Sequence, residues 1–449
     1  MAHLQTMTGS QGLGGVTPSR IAAERVMADL ANGVLLDLAI DRAAGSLDAR
    51  DRRWLQELVF GTLRRRAWLD AVLEARVRGG LVRLHAGVAD LLRLGAEQLL
   101  FMNSVPAYAA IAQTVEQVKS LHGEGAGKLA NAVLRRVDRE RETIEPAVPV
   151  DLLDALALTY SHPRWLVSRW VARLGAERTR ALLEANNREA HTILRPNGIV
   201  REQLEAMLDA AGVRTTEPPL APDSLEIPHG VPLASLAAFQ EGLCFVQDPA
   251  ATTVTQYAAF PAGSVVADLC AAPGGKTLEL AREAKLVVAC DGNATRLERV
   301  RDSVRRLELA NVTPVVADAR NPTLAPLAAV LLDAPCTGTG TYRRHPDARW
   351  RLQPSDLALM GSVQRALLRA AAHIVAPDGL LVYSTCSLEQ EENDDQVETF
   401  LTEHPDFTLE PPAAGTVPAS VLDGGRLRVL PDVHGTDGAF AARFRRKGA

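Results

Sequence analysis

Long apolar runs are missing from this sequence, and none approaches the roughly 20 residues needed to span a bilayer. Residues 1–19 contain no lysine or arginine and no apolar core segment, so they do not resemble a signal peptide. Their glycine, serine and threonine content predicts a disordered start. We therefore expect a cytoplasmic protein that does not associate with a membrane.

Cysteine is also scarce, with five in 449 residues and no CxxC pair among them. An odd number of cysteines without zinc-type spacing argues against both a disulfide framework and a zinc site. We expect free thiols in a reducing compartment and no bound metal. A buried structural thiol is the usual role of cysteine, and it is the interpretation we adopt for Cys244 and Cys290.

There is no excess of basic residues either. The net charge is −5, so the chain as a whole is not a basic nucleic-acid binder. The charge is uneven, however, because residues 20–140 are slightly basic and the remainder is acidic. Any attraction to nucleic-acid phosphates should therefore come mainly from the first part, and it should weaken with salt.

At 449 residues the chain is too long for one ordinary domain, and two or three are expected. Residues 20–145 show the apolar period of helices, with Ser19 as a candidate N-cap, and predict an all-α bundle. On pattern alone, the apolar stripes of that bundle need be no more than its core. Prolines between residues 145 and 163 indicate a linker, and residues 150–235 predict a small α+β unit.

From residue 236 to residue 449, short apolar strands alternate with longer helices. That rhythm is typical of a parallel, doubly wound α/β sheet of the Rossmann-like kind, with residues 438–446 as a closing edge strand. The predicted fold is therefore multidomain: a helical bundle, a small α+β unit and an α/β domain. Ligands bind at the carboxyl ends of the strands in such a sheet.

The first strand of the α/β domain ends in DLCAAPGGKT, where Gly274 and Gly275 would let the backbone approach a ligand closely. The stretch matches neither GxGxxG nor GxxxxGK[ST]. Asp291 ends the second strand and suits ribose hydroxyls, with a helix cap as the alternative. Asp318 ends the third strand and is a candidate neighbour of an adenine ring. Together these residues predict an adenosine-bearing cofactor without a pyrophosphate cradle.

Two neighbouring strands run into cysteines, in DAPC at Cys336 and in STCS at Cys386. Because such strand ends share one rim of the sheet, both thiols are expected to face one site. Ser387 and Gln390 form a capping-box pattern, which predicts a helix start at Ser387 and a more easily ionised Cys386. The acidic run at residues 389–392 would then be a solvated helix face.

The motifs DLCAAPGGKT, DAPCTGTG and YSTCS, in this order and near this spacing, resemble the cytosine-5 RNA methyltransferases of the Sun/Nop2 type. The segments FVQDPAA, RRHPDARW, SHPRW and LRPN are also similar to family segments. The helical N-terminus, which ends in NAVLRR, resembles the NusB-like RNA-binding domain of the bacterial ribosomal branch. The resemblance implies a NusB-like domain at 20–145, a small linker or RNA-binding domain at 150–235, and a methyltransferase domain at 236–449.

The resemblance also implies S-adenosylmethionine as the methyl donor. Its expected binding residues are Cys270, Ala271, Ala272, Pro273, Gly274, Gly275, Lys276, Asp291, Asp318 and Asp333. Cys386 would be the nucleophile that adds to C6 of cytosine, and Cys336 would assist release of the product. Asp333 would contact the N3/N4 edge of the base. Lys276 would contact the base or the cofactor carboxylate, with helix capping or a plain surface charge as alternatives.

The implied reaction is methylation of C5 of a cytidine in small-subunit (16S) ribosomal RNA by a monomeric enzyme, through a covalent Cys–C6 adduct on an unstacked base. Arg343, Arg344 and Arg349, with Trp350 beside them, are predicted to contact the RNA. Two alternatives remain: a transfer RNA substrate, and an RNA-binding or assembly factor whose methyltransferase half is inactive. The intact set of candidate catalytic residues argues against the second alternative.

Overall fold

A computed structural model describes residues 15–228 and 230–448 of the chain. Contacts between residues divide the chain into two compact units, residues 1–183 and 184–449. The predicted disordered segment 1–19 lies outside the described residues as far as residue 14, and Pro18 and Ser19 are already helical.

The described part of the first unit is built of helices. They are α1 (Pro18–Ala31), α2 (Leu36–Ala43), α3 (Ala49–Arg64), α4 (Arg66–Glu74), α5 (Ala86–Phe101), α6 (Ala107–His122), α7 (Glu124–Glu140), α8 (Leu152–Thr159) and α9 (Arg164–Leu174), and α10 (Ala176–Asn187) begins in this unit. Apolar residues at helical spacing, such as Val26, Leu55 and Leu134, are buried together in one core. The predicted helical bundle is therefore present.

Local signals explain the starts of α1 and α8 and correct two expectations. Thr17, not Ser19, is the N-cap of α1, because Pro18 occupies the first helical position, where its missing N–H costs nothing. Arg65 separates α3 from α4. The predicted linker at 145–163 contains α8, because the Asp151 side chain caps that helix by accepting the N–H of Asp154 at 3.0 Å.

The second unit contains a small antiparallel sheet with the order β2–β1–β3. Its strands and helices are β1 (Thr192–Pro196), α11 (Arg201–Ala210), β2 (Leu225–Ile227), α12 (Ala237–Gln240) and β3 (Cys244–Val246). The third strand, β3, lies beyond residue 235, where the predicted α+β unit ends. Of the predicted unit at 150–235, α8 and α9 lie in the first compact unit and this sheet lies in the second.

The second unit also contains a sheet of nine strands. The strands are β4 (Val265–Asp268), β5 (Leu286–Asp291), β6 (Val312–Val316), β7 (Leu327–Asp333), β8 (Val375–Thr385), β9 (Phe407–Leu409), β10 (Leu422–Asp423), β11 (Arg426–Val429) and β12 (Ala439–Arg446). The order is β10–β11–β12–β8–β7–β4–β5–β6, with β9 paired to β12. Strands β6, β5, β4, β7 and β8 are parallel, as predicted.

Two apolar cores lie on the two faces of this sheet. Alternate residues of β7 belong to different cores: Leu331 packs into one and Leu332 into the other. Helices pack on both sides, which is the doubly wound arrangement. They are α13 (Pro249–Ala258), α14 (Gly275–Leu280), α15 (Ala294–Arg306), α16 (Ala348–Arg351), α17 (Pro354–His373), α18 (Asp394–Glu403) and α19 (Pro431–His434).

The last strand is not an edge strand, and this prediction is wrong. Strand β12 pairs antiparallel with β8, β11 and β9. Because β12 is covered on both faces, its residues from Ala439 to Phe444 form a continuous buried run instead of alternating between buried and exposed.

A buried ion pair joins the small sheet to helix α14. Arg195 of β1 donates from Nε and Nη2 to the two carboxylate oxygens of Glu279 on α14, at 3.0 and 2.6 Å. The Arg195 side chain is 5% exposed and that of Glu279 is 9% exposed, so solvent screens the pair little. The pair holds α14, the helix that follows the glycine-rich loop.

Within residues 15–228 and 230–448, no helix combines the length and apolar character that crossing a membrane requires.

We predict that Gly127→Ala destabilises the helical unit relative to Gly125→Ala. A Cβ at Gly127 of α7 would lie 2.9 Å from Cβ of Lys119 on α6, whereas one at Gly125 would meet nothing within 4 Å. Both changes gain helix propensity, so the difference isolates the overpacking, which should be about 1–3 kcal/mol. Urea unfolding followed by circular dichroism measures it, and equal midpoints for the two variants would contradict this packing.

Candidate active site

The glycine-rich loop at the end of β4 lies against the end of β5. The N–H of Ala271 donates to the carbonyl oxygen of Cys290 at 2.8 Å. Gly274 has φ of +116°, a conformation that L side chains rarely adopt, and α14 begins at the next residue. The glycine that sequence reasoning singled out is therefore required by the turn itself.

Asp268, the last residue of β4, is a buried carboxylate with one unused oxygen. Its Oδ2 accepts from the hydroxyl of Thr277 at 2.6 Å, and its Oδ1 is buried without a hydrogen-bond partner in the described part of the chain. Burial raises the pKa of Asp268 to about 7, and the nearby charge of Asp333 acts in the same direction. The site therefore contains an acceptor that a cationic donor group would satisfy.

Asp291 connects the ends of β4 and β5. Its Oδ1 accepts from the N–H of Asn293 at 2.8 Å, and its Oδ2 accepts from the N–H of Ala272 at 3.2 Å. The helix cap is not Asp291 but Asn293, whose side chain accepts from Arg296 N at 3.0 Å. Each carboxylate oxygen of Asp291 keeps a second lone pair, so a ribose contact remains available.

Asp318 lies two residues beyond the end of β6 and not on the strand itself. Arg320 donates to both of its carboxylate oxygens, with Nη2 at 2.7 Å from Oδ2. These hydrogen bonds from Arg320 hold the pKa of Asp318 below its ordinary value. The pair is exposed, and the proposed contact with adenine remains a prediction.

The two candidate catalytic cysteines lie side by side. Strands β7 and β8 are parallel neighbours, and Asp333 of the first is in register with Ser384 of the second. Each chain then runs into its cysteine, and the sulfurs of Cys336 and Cys386 are 3.3 Å apart. The hydrogen bond with Cys386, burial and the nearby charges raise the pKa of Cys336 well above its usual range.

Lys276 and Asp333 form an ion pair beside the thiols. The ammonium Nζ donates to Oδ2 of Asp333 at 2.7 Å, and the hydroxyl of Ser384 donates to Oδ1 at 2.7 Å. Burial alone would lower the pKa of Lys276, but the charge and hydrogen bond of Asp333 outweigh it and raise that pKa. Lys276 is therefore a cation at neutral pH.

A cavity of about 360 Å³ opens beside this pair, and it is lined by Asp268, Ala271, Pro273, Gly275, Lys276 and Asp333, among others. Gln247 lines it too, with a buried Nε2 that has no hydrogen-bond partner in residues 15–228 and 230–448. A larger cavity of about 510 Å³ lies at the other end of α14 and is lined by none of the predicted site residues. The smaller cavity is therefore the candidate active site, because predicted site residues line it.

The chain is similar over nearly all of its length to proteins of one family. A family model described as 16S rRNA methyltransferase RsmB/F matches residues 259–445, a NusB family model matches 17–139, and a ferredoxin-like RsmF/B domain model matches 162–234. Ribosomal RNA small subunit methyltransferase B of Vibrio cholerae is 36% identical over 96% of this chain and 98% of its own. The chain belongs to the RsmB/F family.

Other relatives align with most or about two thirds of this RsmB/F chain. Ribosomal RNA small subunit methyltransferase B of Pasteurella multocida is 34% identical over 95% of each chain. The crystal structure of PH0851 aligns with a TM-score of 0.81 over 96% of this chain and 99% of its own, at 28% identity. A methyltransferase homolog protein from Pyrococcus horikoshii aligns with a TM-score of 0.57 over 66% of this chain and 99% of its own, at 29% identity.

S-adenosylmethionine is the expected methyl donor of an RsmB/F methyltransferase, and the cavity fits it. The unused oxygen of Asp268 suits an ammonium group, and the unused amide N–H of Gln247 suits a carboxylate. An amino acid end carries both groups. Cys270 lies in the same loop and is half-buried, and burial raises the pKa of its thiol.

The predicted helix start at Ser387 is wrong. Residues Gln390–Glu392 form a short 3-10 turn, and the next helix, α18, begins at Asp394. The hydroxyl of Ser387 accepts from the N–H of Glu389 at 3.1 Å, so the serine closes a local turn and does not cap a helix. Cys386 therefore does not lie at a helix N-terminus.

The acidic run is not a solvated helix face either. Glu389 and Glu392 are both 0% exposed, and Glu391 is only partly exposed. The carboxylate of Glu392 accepts hydrogen bonds from residues next to the two cysteines. The sequence did not predict this role, because nothing in the run EQEE distinguishes a buried glutamate from its neighbours.

The three arginines predicted to contact RNA have partners inside the RsmB/F chain. Arg349 is 0% exposed and donates from Nη1 to Oδ1 of Asn187 at 2.7 Å. Arg343 is 7% exposed and donates to the carbonyl oxygen of Gly435. The structure leaves neither guanidinium free for a phosphate, which corrects the prediction for these two residues. The prediction failed because the presence of an arginine in a motif does not show whether its side chain is exposed.

Arg344 is held by two carboxylates. Its Nη2 lies 2.7 Å from Oδ2 of Asp248, and its Nε lies 2.8 Å from Oδ2 of Asp437. Both carboxylates are nearly buried, at 11% and 9% side-chain exposure. The role of Arg344 in this structure is therefore the neutralisation of buried charge.

The remaining thiols match the expected structural role. Cys244 and Cys290 are 0% and 2% exposed, and burial raises the pKa of each to about 11. Among the described residues, no group of three or more histidine, cysteine or acidic side chains is arranged to hold a metal ion.

We predict that Arg344→Ala destabilises the second unit strongly. It would strand two nearly buried carboxylates, which typically costs about 3–5 kcal/mol. Arg305→Ala is the matched control, because it breaks only an exposed pair with Asp302 that is worth about 0–1 kcal/mol. Thermal unfolding compares them. Equal stability of the two variants, with RNA affinity lost only in Arg344→Ala, would restore the RNA-contact role.

Proposed function

We propose that this RsmB/F protein methylates C5 of a cytidine in 16S ribosomal RNA through a covalent adduct between Cys386 and C6 of the base. The observation that carries the proposal is the pair of thiols 3.3 Å apart beside the Lys276–Asp333 ion pair. A ribosomal substrate is supported by the relatives, which are named ribosomal RNA small subunit methyltransferase B.

The thiol pair suits the difficulty of the reaction. C5 of cytosine is a poor nucleophile, and a thiolate that adds to C6 gives C5 enamine character, so that C5 can take up a methyl group. The hydrogen bond with Cys386 and burial raise the pKa of Cys336 well above its usual range. We assign the attack to Cys386 because its motif, YSTCS, resembles the segment that carries the nucleophile in the Sun/Nop2-type enzymes.

Asp333 and Lys276 would stabilise the base during attack. Asp333 accepts hydrogen bonds from Lys276 and Ser384 and keeps lone pairs for the N3/N4 edge of cytosine. Lys276 carries a positive charge in a partly dehydrated site, where it would offset the negative charge that develops on the ring. Both groups lie on the cavity, as a role in contact with the substrate requires.

Release needs two bond changes. The proton on C5 leaves to a base, the electrons of that C–H bond form the C5–C6 double bond, and the C6–S bond breaks to return the Cys386 thiolate. While Cys386 is a thioether, it no longer raises the pKa of Cys336 by its charge. Cys336 then ionises more readily and is placed to take the C5 proton, directly or through water.

S-adenosylmethionine supplies an electrophilic methyl group when it is bound. We assign its amino acid end to Asp268 and Gln247, its ribose to Asp291 and its adenine to the neighbourhood of Asp318. The loop of residues 270–276 would approach it through the backbone, which is the role of Gly274 and Gly275.

The RNA must present an unstacked base to reach the thiols, because C6 is not accessible within a duplex stack. We assign much of the RNA affinity to the NusB-like unit, which matches a NusB family model over residues 17–139 and is the slightly basic part of the chain. The reaction would take place in the cytoplasm, where ribosomal RNA is assembled with protein.

We predict opposite fates for the two cysteine variants. With labelled S-adenosylmethionine and unmodified small-subunit RNA, Cys336→Ala should accumulate a labelled protein–RNA adduct on a denaturing gel. Loss of an acid–base group slows its step by about 10²–10⁴-fold, so release should lag behind attack. Cys386→Ala should give neither adduct nor methylated RNA.

The double variant, with alanine at both positions, is the control and should give no adduct. Trapping by Cys386→Ala in place of Cys336→Ala would exchange the two roles. Methylated RNA from Cys386→Ala at the wild-type rate would exclude the covalent route.

A further inference from the structure

A buried carboxylate lies behind the two thiols. Glu392 is 0% exposed and belongs to the short turn that follows Cys386. A buried carboxylate is costly unless donors surround it, and one kept only for packing would be replaced at little loss by an apolar side chain. The identity of its donors therefore indicates what it does.

Three of its four donors come from the two loops that carry the thiols, and the fourth is Gln364 of α17. Oε1 of Glu392 accepts from the N–H of Thr337 at 2.9 Å and from Nε2 of Gln364 at 3.0 Å. Oε2 accepts from the Thr337 hydroxyl at 2.5 Å and from the Ser387 hydroxyl. Thr337 directly follows Cys336, and Ser387 directly follows Cys386, so one carboxylate links the neighbours of both sulfurs.

The turn that holds Glu392 is itself fixed to β8. The hydroxyl of Tyr383 donates to the carbonyl oxygen of Glu392 at 2.6 Å. The hydroxyl of Thr385 donates to Oδ1 of Asn393 at 2.6 Å, and Nδ2 of Asn393 donates to the carbonyl oxygen of Ser387 at 2.9 Å. The carboxylate is thus anchored from its own backbone as well as by its donors.

We propose that Glu392 is a positioning residue that fixes the separation of Cys336 and Cys386. It touches neither sulfur in the hydrogen bonds described above and acts through Thr337 and Ser387. The inference concerns the geometry of the thiols, and its importance for catalysis rests on the proposed function.

The length of the side chain matters more than its charge in this role. Asp is one methylene shorter and does not reach both loops from the anchored turn. Gln keeps the length: its carbonyl oxygen accepts from the N–H of Thr337 and from Gln364, and its amide donates to the two hydroxyls, which accept as well as donate. Glu392→Gln should therefore keep the thiols together, whereas Glu392→Asp and Glu392→Ala should not.

The spacing can be measured without RNA. Phenylarsine oxide exchanges its oxygen for two As–S bonds with a pair of nearby thiols and releases one water, with no change in oxidation state. Its capture is read by mass spectrometry of the intact protein over a range of reagent concentrations. Cys336→Ala supplies the background from single thiols, and Glu398→Ala, whose side chain is 70% exposed on α18, is the matched control.

We expect wild type, Glu398→Ala and Glu392→Gln to capture one arsenical with similar affinity. Glu392→Ala and Glu392→Asp should bind it about tenfold more weakly or worse, because the second thiol no longer adds its effective concentration. If Glu392→Ala does not fold, Glu392→Asp decides the question. Capture by Glu392→Asp with wild-type affinity, or weak capture by Glu392→Gln as well, would overturn the proposal.

Turnover adds a readout that a merely structural role would not move. Displacement of a reacting group by about 1 Å can cost about a hundredfold in rate, so kcat of Glu392→Asp should fall by that order while KM for RNA changes little. Glu392→Gln should restore kcat. If wild type methylates no RNA, the proposed function fails, yet the arsenical capture still decides the role of Glu392.

Discussion

The site depends on the parallel pairing of β7 with β8. Because Asp333 and Ser384 are in register, the segments that follow β7 and β8 leave the sheet at the same level and on the same rim. Two cysteines that are 50 positions apart in the sequence therefore have their sulfurs 3.3 Å apart. A slip of one residue would turn alternate side chains to the other face of the sheet, take Asp333 away from the cavity and separate the two thiols.

Around that rim, several buried or half-buried carboxylates are held by specific donors. Asp333 is paired with Lys276, and Glu392 accepts from both thiol-bearing loops. Asp268 and Gln247 are exceptions, because one oxygen of Asp268 and Nε2 of Gln247 have no hydrogen-bond partner among the described residues. Burial raises the pKa of Asp268 to about 7. A bound cationic group would stabilise such an acceptor. The side of the site that faces the cofactor cavity therefore has more unpaired hydrogen-bonding groups than the side that carries the thiols.

The sequence was informative where local pattern and topology agree. Strand–helix alternation predicted the parallel sheet, and β5 has the predicted end at Asp291. The two thiols were expected on one rim because parallel strand ends share it, and the structure places them in contact. The helical bundle was predicted in the same way, from the helical spacing of apolar residues.

The errors arose where tertiary contacts decide. A capping-box pattern at Ser387 was overridden by a local turn, and the last strand gained neighbours on both sides. Nothing in the residue type shows that Arg349 is fully buried or that Glu392 lies behind the thiols, since both depend on donors and acceptors far away in the chain. These are functional or packed positions, where local rules and final structure most often disagree.

Release of hydrogen from C5 tests the central claim most directly. Small-subunit RNA carrying tritium at C5 of its cytidines would be incubated with the protein and S-adenosylmethionine, and tritium in water would be compared with methyl groups gained by the RNA. Attack by Cys386 and methylation at C5 predict one tritium released for each methyl group transferred. Methyl transfer without release of tritium would place the methyl group on another atom and contradict the proposed chemistry of the thiol pair.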